Sequence, residues 1–153
     1  MTAVRRIRDL GPADLDWVAE QEKAIFGPAA WSRAMIEEDF RFPGKRYIGV
    51  EDDGALVGYG MTSFDGEALH VLNLAVRADA RNRGNGAALL TAMVEQAREL
   101  GASEMWLEVR VDNEAAHTLY ESFGFVPVRI RPRYYQPEDV DGLVMRLQLG
   151  DQA

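Results

Sequence analysis

Residues 72–101 read LNLAVRADARNRGNGAALLTAMVEQARELG, and they pass from one kind of structure to another without a break. LNLAV is an apolar run of strand type. From Gly86 to Gly101 the period changes: Leu90, Met93, Val94, Ala97 and Leu100 fall on one helical face, and Gly101 supplies the stop. Between the two stands RNRGNG, Arg81 to Gly86. A glycine-rich loop that follows a strand and opens a long helix is a good anion site, because unpaired backbone N–H groups and the positive end of the helix dipole converge there. Gly84 and Gly86 let the backbone approach an oxyanion with no Cβ in the way, and Arg81 and Arg83 bring positive charge to a chain whose formal charge is -8. Phosphate is the obvious ligand. Two common phosphate loops are excluded: a Walker loop needs a lysine that this stretch lacks, and the dinucleotide fingerprint GxGxxG needs a glycine where Leu89 stands. The competing reading of the same residues is a tight strand-to-helix turn with solvated arginines.

Working outward toward the N-terminus, EALHVLNLAV follows an Asp65-Gly66 turn, while KRYIGVED and ALVGYGMTSF flank Asp52-Asp53-Gly54, so three consecutive antiparallel strands are expected. Before them, VRRIRDL alternates like a short strand and leads into a helix over GPADLDWVAEQEKAIF, with Leu15, Val18, Ala19, Glu22 and Phe26 at helical spacing. Ser32, just after Trp31, is a good cap for a second short helix that stops before Pro43. Toward the C-terminus, SEMWLEVRV alternates: Met105, Leu107, Val109 and Val111 share one face, and Glu104, Trp106, Glu108 and Arg110 the other. DNEAAHTLYESFGF follows as a helix with Ala116, Leu119, Tyr120 and Phe123 on one face. The remainder gives two strands joined by a loop rich in proline and tyrosine, Arg131 to Asp139.

Residues 1–153 are the size of one ordinary domain, and 47% apolar content can build a continuous core. Charge interrupts every apolar run, so no membrane span or signal peptide is expected, and the default location is the cytoplasm. The absence of cysteine excludes disulfides, thiolate metal sites and a cysteine nucleophile. Net negative charge argues against binding to nucleic acid backbone. His70 and His117 are too few and too far apart to suggest a metal site.

The pattern RxxGxG behind LNLAV and ahead of a long helix resembles the acetyl-CoA pyrophosphate loop of the GCN5-related N-acetyltransferase (GNAT) superfamily. The segment Leu107 to Phe125, LEVRVDNEAAHTLYESFGF, resembles more narrowly the signature of bacterial ribosomal-protein-alanine N-acetyltransferases, the Rim type. AAWS and RYYQPEDVDGLVM resemble further positions of that group, with Ala30 and Val140 standing where its members usually carry proline and alanine. The resemblance implies a mixed α/β fold: a mostly antiparallel sheet of about seven strands with a splayed parallel pair, flanked by about four helices. It also implies acetyl-CoA held by Arg81, Asn82, Arg83, Gly84, Asn85, Gly86 and Ala87, with backbone groups of Leu74, Ala75 and Val76 and the side chain of Asn113 along the pantetheine arm.

Amide formation from an amine and a thioester needs a neutral amine, a polarised carbonyl and a proton for the departing thiolate. Without cysteine, direct attack in a ternary complex is the expected route. The resemblance makes Glu108 the general base and Tyr120 the general acid. Without it, Glu108 reads as a solvated strand glutamate, Tyr120 as core packing and Asn113 as a helix cap. An α-amine of pKa about 7.7 to 8.0 is neutral at pH 7 several hundred times more often than a lysine of about 10.4, which favours a protein N-terminus. The expected acceptor is a ribosomal protein of the S18 kind, lying between Trp31 and the loop bearing Tyr134 and Tyr135, where Glu138 and Asp139 suit a basic tail. Alternatives are a lysine or small-amine acetyltransferase, a noncatalytic acyl-CoA-binding module and a nucleotide-binding protein.

Overall fold

The computed structural model describes residues 4–150. Its strands are β1 (Arg5–Asp9), β2 (Lys45–Asp52), β3 (Ala55–Phe64), β4 (Ala68–Val76), β5 (Glu104–Arg110), β6 (Val126–Tyr135) and β7 (Val140–Gln148). The helices are α1 (Leu15–Phe26), α2 (Arg33–Phe40), α3 (Asn85–Glu99) and α4 (Glu114–Ser122). Local signals account for most boundaries. The β2–β3 hairpin turns through Asp53 and Gly54 at φ 51° and 86°. Asp65 accepts the amides of Glu67 and Ala68 at 2.8 and 2.7 Å, which starts β4. The Ser32 side chain accepts from Met35 N at 3.1 Å and opens α2.

The seven strands form one sheet in the order β1-β2-β3-β4-β5-β7-β6. Every neighbouring pair is antiparallel except β4 and β5, which run parallel only from Ala68↔Glu104 to Val71↔Leu107. The last two strands enter out of order, β7 beside β5 and β6 at the edge.

Two apolar clusters cover the two faces. On one, Leu89, Leu90, Met93 and Ala97 of α3 and Tyr120 of α4 pack on Leu69, Val71, Met105, Leu107 and Val109. On the other, Leu15 and Val18 of α1 and Ile36 of α2 pack on Tyr47, Tyr59, Met61 and Ala75. Each fully buried aliphatic side chain contributes about 1.5–3 kcal/mol.

β4 shares both clusters because it slips by one residue. Met61 pairs with Asn73 but Thr62 pairs with Val71, leaving Leu72 as an extra residue. Side chains alternate along a strand, so one extra residue exchanges the faces beyond it. Leu69 and Val71 face the α3 side before the bulge, as do Leu74 and Val76 after it, while Asn73 and Ala75 turn to the α1 side.

One expected boundary is corrected. The stretch from Arg131 is not a long loop: β6 continues to Tyr135, and only residues 136–139 turn. Pairing runs to Arg131↔Gly142, slips, and resumes at Tyr135↔Val140, with Arg133 at φ 56° inside the slip and its amide held by Asp141 Oδ1 at 2.8 Å. Pro132, which suggested a loop, is absorbed by an edge strand, which can tolerate a missing donor, while Pro137 lies in the turn itself.

Candidate active site

The loop at the start of α3 is built from main chain. Gly84 caps the helix at φ 85°, a left-handed conformation that glycine adopts freely, and the first helical bond runs from Ala88 N to Gly84 O at 3.0 Å. The amides of residues 82–87 find no acceptor among the described residues, which leaves them available at the positive end of the helix. Arg81 is fixed by Nε donating to Val76 O at 3.0 Å. Arg83 is exposed.

Asn85 braces the loop from behind. Its side chain is buried: Nδ2 donates to Ala80 O at 3.0 Å, and Oδ1 accepts from Arg5 Nε at 2.9 Å. Only its backbone N–H remains for a ligand. Arg5 also donates to the Arg83 carbonyl, so a β1 residue braces the loop from a distance of 80 positions in sequence. The sequence pattern gave no signal for that brace.

Glu108 is the first residue past the last β4–β5 pair, Val71↔Leu107. Beyond that pair the strands part, with Leu74, Ala75 and Val76 on one arm of the fork and Glu108 on the other. The Glu108 carboxylate is about one-quarter exposed and forms an ion pair with Arg131 of β6, whose guanidinium pKa it raises chiefly through the hydrogen bond. Arg131 also lies over the Tyr134 ring, 4.3 Å from its centre. The Tyr134 phenol is raised above its ordinary pKa, first by hydrogen bonding toward Glu108 and then by burial. Tyr135 is raised as well, first by burial and then by the charge of Glu108. Gly142 on β7 makes room for the pair: a Cβ there would lie 3.2–3.3 Å from atoms of both rings.

The ring of Tyr120 is buried and meets Phe125 edge-on at 5.8 Å. Burial pushes its pKa up to about 12. Its hydroxyl makes no hydrogen bond among the described residues, and burial is the one cause of the shift. A buried phenol that keeps its proton suits a proton donor. Tyr120 packs in one cluster with Leu107 and Val109, the neighbours of Glu108 on β5.

Other expected residues separate from this group. Asn113 Oδ1 accepts from Ala116 N at 3.1 Å and caps α4. Trp31 packs in the α1 cluster, with no hydrogen bond or ring contact to Tyr134 or Tyr135 among the described residues. Glu138 and Asp139, expected to meet a basic tail, are already paired with Arg110 at 3.4 Å and Arg133 at 2.6 Å. His70 pairs with Asp65, and His117 meets the Arg110 carbonyl.

Comparison with known proteins bears on this geometry. Residues 14–125 match the acetyltransferase (GNAT) family. N-alpha-acetyltransferase RimI of Mycobacterium tuberculosis is 35% identical over 144 residues, covering 91% of this chain and 89% of that protein. An uncharacterized protein of Mycobacterium leprae is 35% identical over 145 residues; there the match takes in 92% of this chain but 40% of the longer relative. The crystal structure of the ribosomal-protein-S18-alanine N-acetyltransferase from Escherichia coli superposes with a TM-score of 0.88 at 28% identity, covering 96% of this chain and 95% of that one. By the matched residues, the forked sheet and the glycine loop together, the chain belongs to the acetyltransferase (GNAT) family of acetyl-CoA-dependent N-acetyltransferases.

Proposed function

We propose that the chain acetylates the N-terminal α-amine of a protein beginning with alanine, a ribosomal protein of the S18 kind, in the cytoplasm, with residues 1–153 acting as one catalytic domain. The observation that carries this is the place of Glu108: the first residue past the fork of β4 and β5, within reach of Arg131, Tyr134 and Tyr135. The relatives named for α-amine or S18-alanine acetylation support the choice of acceptor.

In the proposed reaction the neutral amine attacks the thioester carbonyl. A C–N bond forms, the C–S bond breaks, the amine gives up one proton to Glu108, and the thiolate sulfur receives one from Tyr120. Positioned acid–base groups of this kind contribute about 10²- to 10⁴-fold. Main-chain amides of residues 82–87, with Arg81 and Arg83, hold the pyrophosphate of acetyl-CoA, and the open edge of Leu74 to Val76 holds its pantetheine arm. Asn113 borders that arm while capping α4. Tyr134 and Tyr135 flank the acceptor backbone on one side and Trp31 on the other.

Mass spectrometry of an acceptor panel with acetyl-CoA tests the reading. The panel holds peptides beginning with alanine, the same peptides with blocked N-termini and a free lysine, and spermidine. One acetyl gained on the free N-terminus alone is the expected result. Gain on lysine or spermidine alone would overturn the acceptor class and leave the catalytic pair in place.

A further inference from the structure

One buried carboxylate stands outside the proposed chemistry. Glu22 of α1 is 1% exposed, and its hydrogen bonds come from three neutral donors. Oε1 accepts from Trp31 N at 3.2 Å, and Oε2 accepts from the Tyr59 hydroxyl and from Asn73 Nδ2, the latter at 2.6 Å. A carboxylate taken out of water is costly even when fully hydrogen-bonded. What this one joins is the segment between α1 and α2 that carries Trp31, the proposed acceptor arm, and the bulged strand of the fork.

The connection continues for one more bond. Asn73 Oδ1 accepts from Leu74 N at 2.9 Å. A chain of side chains therefore runs from the Leu74 amide through Asn73 and Glu22 to the Trp31 amide. Asn73 can take part only because the extra residue at Leu72 turns it toward α1. The Leu74 N–H can serve Asn73 or a ligand lying along β4, but not both fully. A ligand shifts a conformation by the interactions that differ between its two states, and this amide is such an interaction.

We propose that Asn73 and Glu22 are positioning residues that report occupancy of the β4 edge to Trp31, so that a bound cofactor arranges the acceptor arm. This rests on the reading of Leu74 as a contact of the pantetheine arm. When Leu74 N–H is taken by ligand, Asn73 loses its local partner, its amide reorients, and the Glu22 carboxylate that anchors Trp31 N moves with it.

The test follows the backbone amide of Trp31 by two-dimensional ¹H–¹⁵N NMR while CoA is added, with no acceptor present, so the class of acceptor does not enter. In the wild-type chain the Trp31 amide resonance moves in step with CoA binding. In Asn73→Ala the shift falls by at least about threefold while the CoA Kd stays within about threefold of wild type. Glu22→Gln, a second variant of different local effect, shows the same loss of response with well-dispersed spectra. A Trp31 response that persists at full size in Asn73→Ala would mean direct contact and overturn the relay. So would a silent Trp31 in wild-type protein that binds CoA, or loss of CoA binding in both folded variants. Failure of the wild-type chain to bind CoA at all would overturn the cofactor reading together with the relay, whereas acetylation of the wrong acceptor would leave this result standing.

Discussion

The two ends of the fork are made of different materials. At the α3 end the groups proposed to meet the ligand are main-chain amides of residues 82–87, set by Gly84 and locked from behind by buried Asn85 and by Arg5. At the β6 end they are exposed or half-buried side chains, Glu108, Arg131, Tyr134 and Tyr135, drawn from strands that meet only because β7 inserts beside β5. A backbone site is specified by local conformation and recognises a constant group. A site of paired side chains is specified by tertiary register, and its preferences can change with one residue.

The sharpest way to break that comparison is at its centre. Glu108→Gln is expected to lower kcat by about 10²- to 10⁴-fold while acetyl-CoA binding, measured by calorimetry, stays within about threefold. Tyr120→Phe follows, with a loss of about 10²-fold in kcat. Because burial raises the Tyr120 pKa to about 12, the phenol keeps its proton until the pH approaches that value, so the raised acid removes no activity in the ordinary alkaline range. The kcat profile is therefore expected to stay flat from the amine's titration to about pH 10. A fall in that range that disappears in Tyr120→Phe would contradict the burial.

Asn85→Ala tests whether the backbone end depends on its hidden side chain. It strips Arg5 and the Ala80 carbonyl of a buried partner, at a cost of about 1–3 kcal/mol in stability. The KM for acetyl-CoA should rise about tenfold, with the acceptor KM within about twofold. Arg131→Met should do the reverse, raising the acceptor KM about threefold and sparing acetyl-CoA, since a pair this exposed contributes little.

The smallest expected effect lies outside the site. Two backbone amides and His70 hold the Asp65 pKa near about 2, with the Ala68 amide the largest cause. Its folded value lies below the ordinary 3.8, so the stabilisation is complete above that value and disappears as pH falls through about 2. Asp65→Asn should lower Tm by about 1–3 °C at pH 7, and the gap to wild type should close at about pH 2.

Most of the α3 end was legible in sequence because its causes are local. Strand, glycines and helix follow one another, and φ 85° at Gly84 is what a glycine there suggests. The α2 cap at Ser32 and the Asp53-Gly54 turn were readable for the same reason. What was not legible depends on distance. Arg5 reaches Asn85 and Arg83 across the sheet, Glu22 reaches Asn73 across 51 positions, and Arg131 meets Glu108 across 23. None has a periodic signature, since each exists only once the register is fixed. The one-residue slip at Leu72 leaves only a faint trace: apolar Leu69 and Val71 are followed by apolar Leu72, Leu74 and Val76, so His70 and Asn73 fall three apart, a phase break that a strand apolar on both faces can hide. Pro132 misled in the other direction by suggesting a loop where an edge strand continues.

That edge has a consequence of its own. β6 lies outermost with Val126, Val128 and Ile130 exposed, the kind of open, apolar border along which copies of a protein zip together into aggregates. Pro127 and Pro132 remove two amide donors from it, and Arg129, Arg131 and Arg133 line it with long polar side chains, the last two paired with Glu108 and Asp139. The missing donors therefore bear on colloidal behaviour: a residue with an amide at 127 or 132 would be felt in the concentration at which the protein stays dispersed.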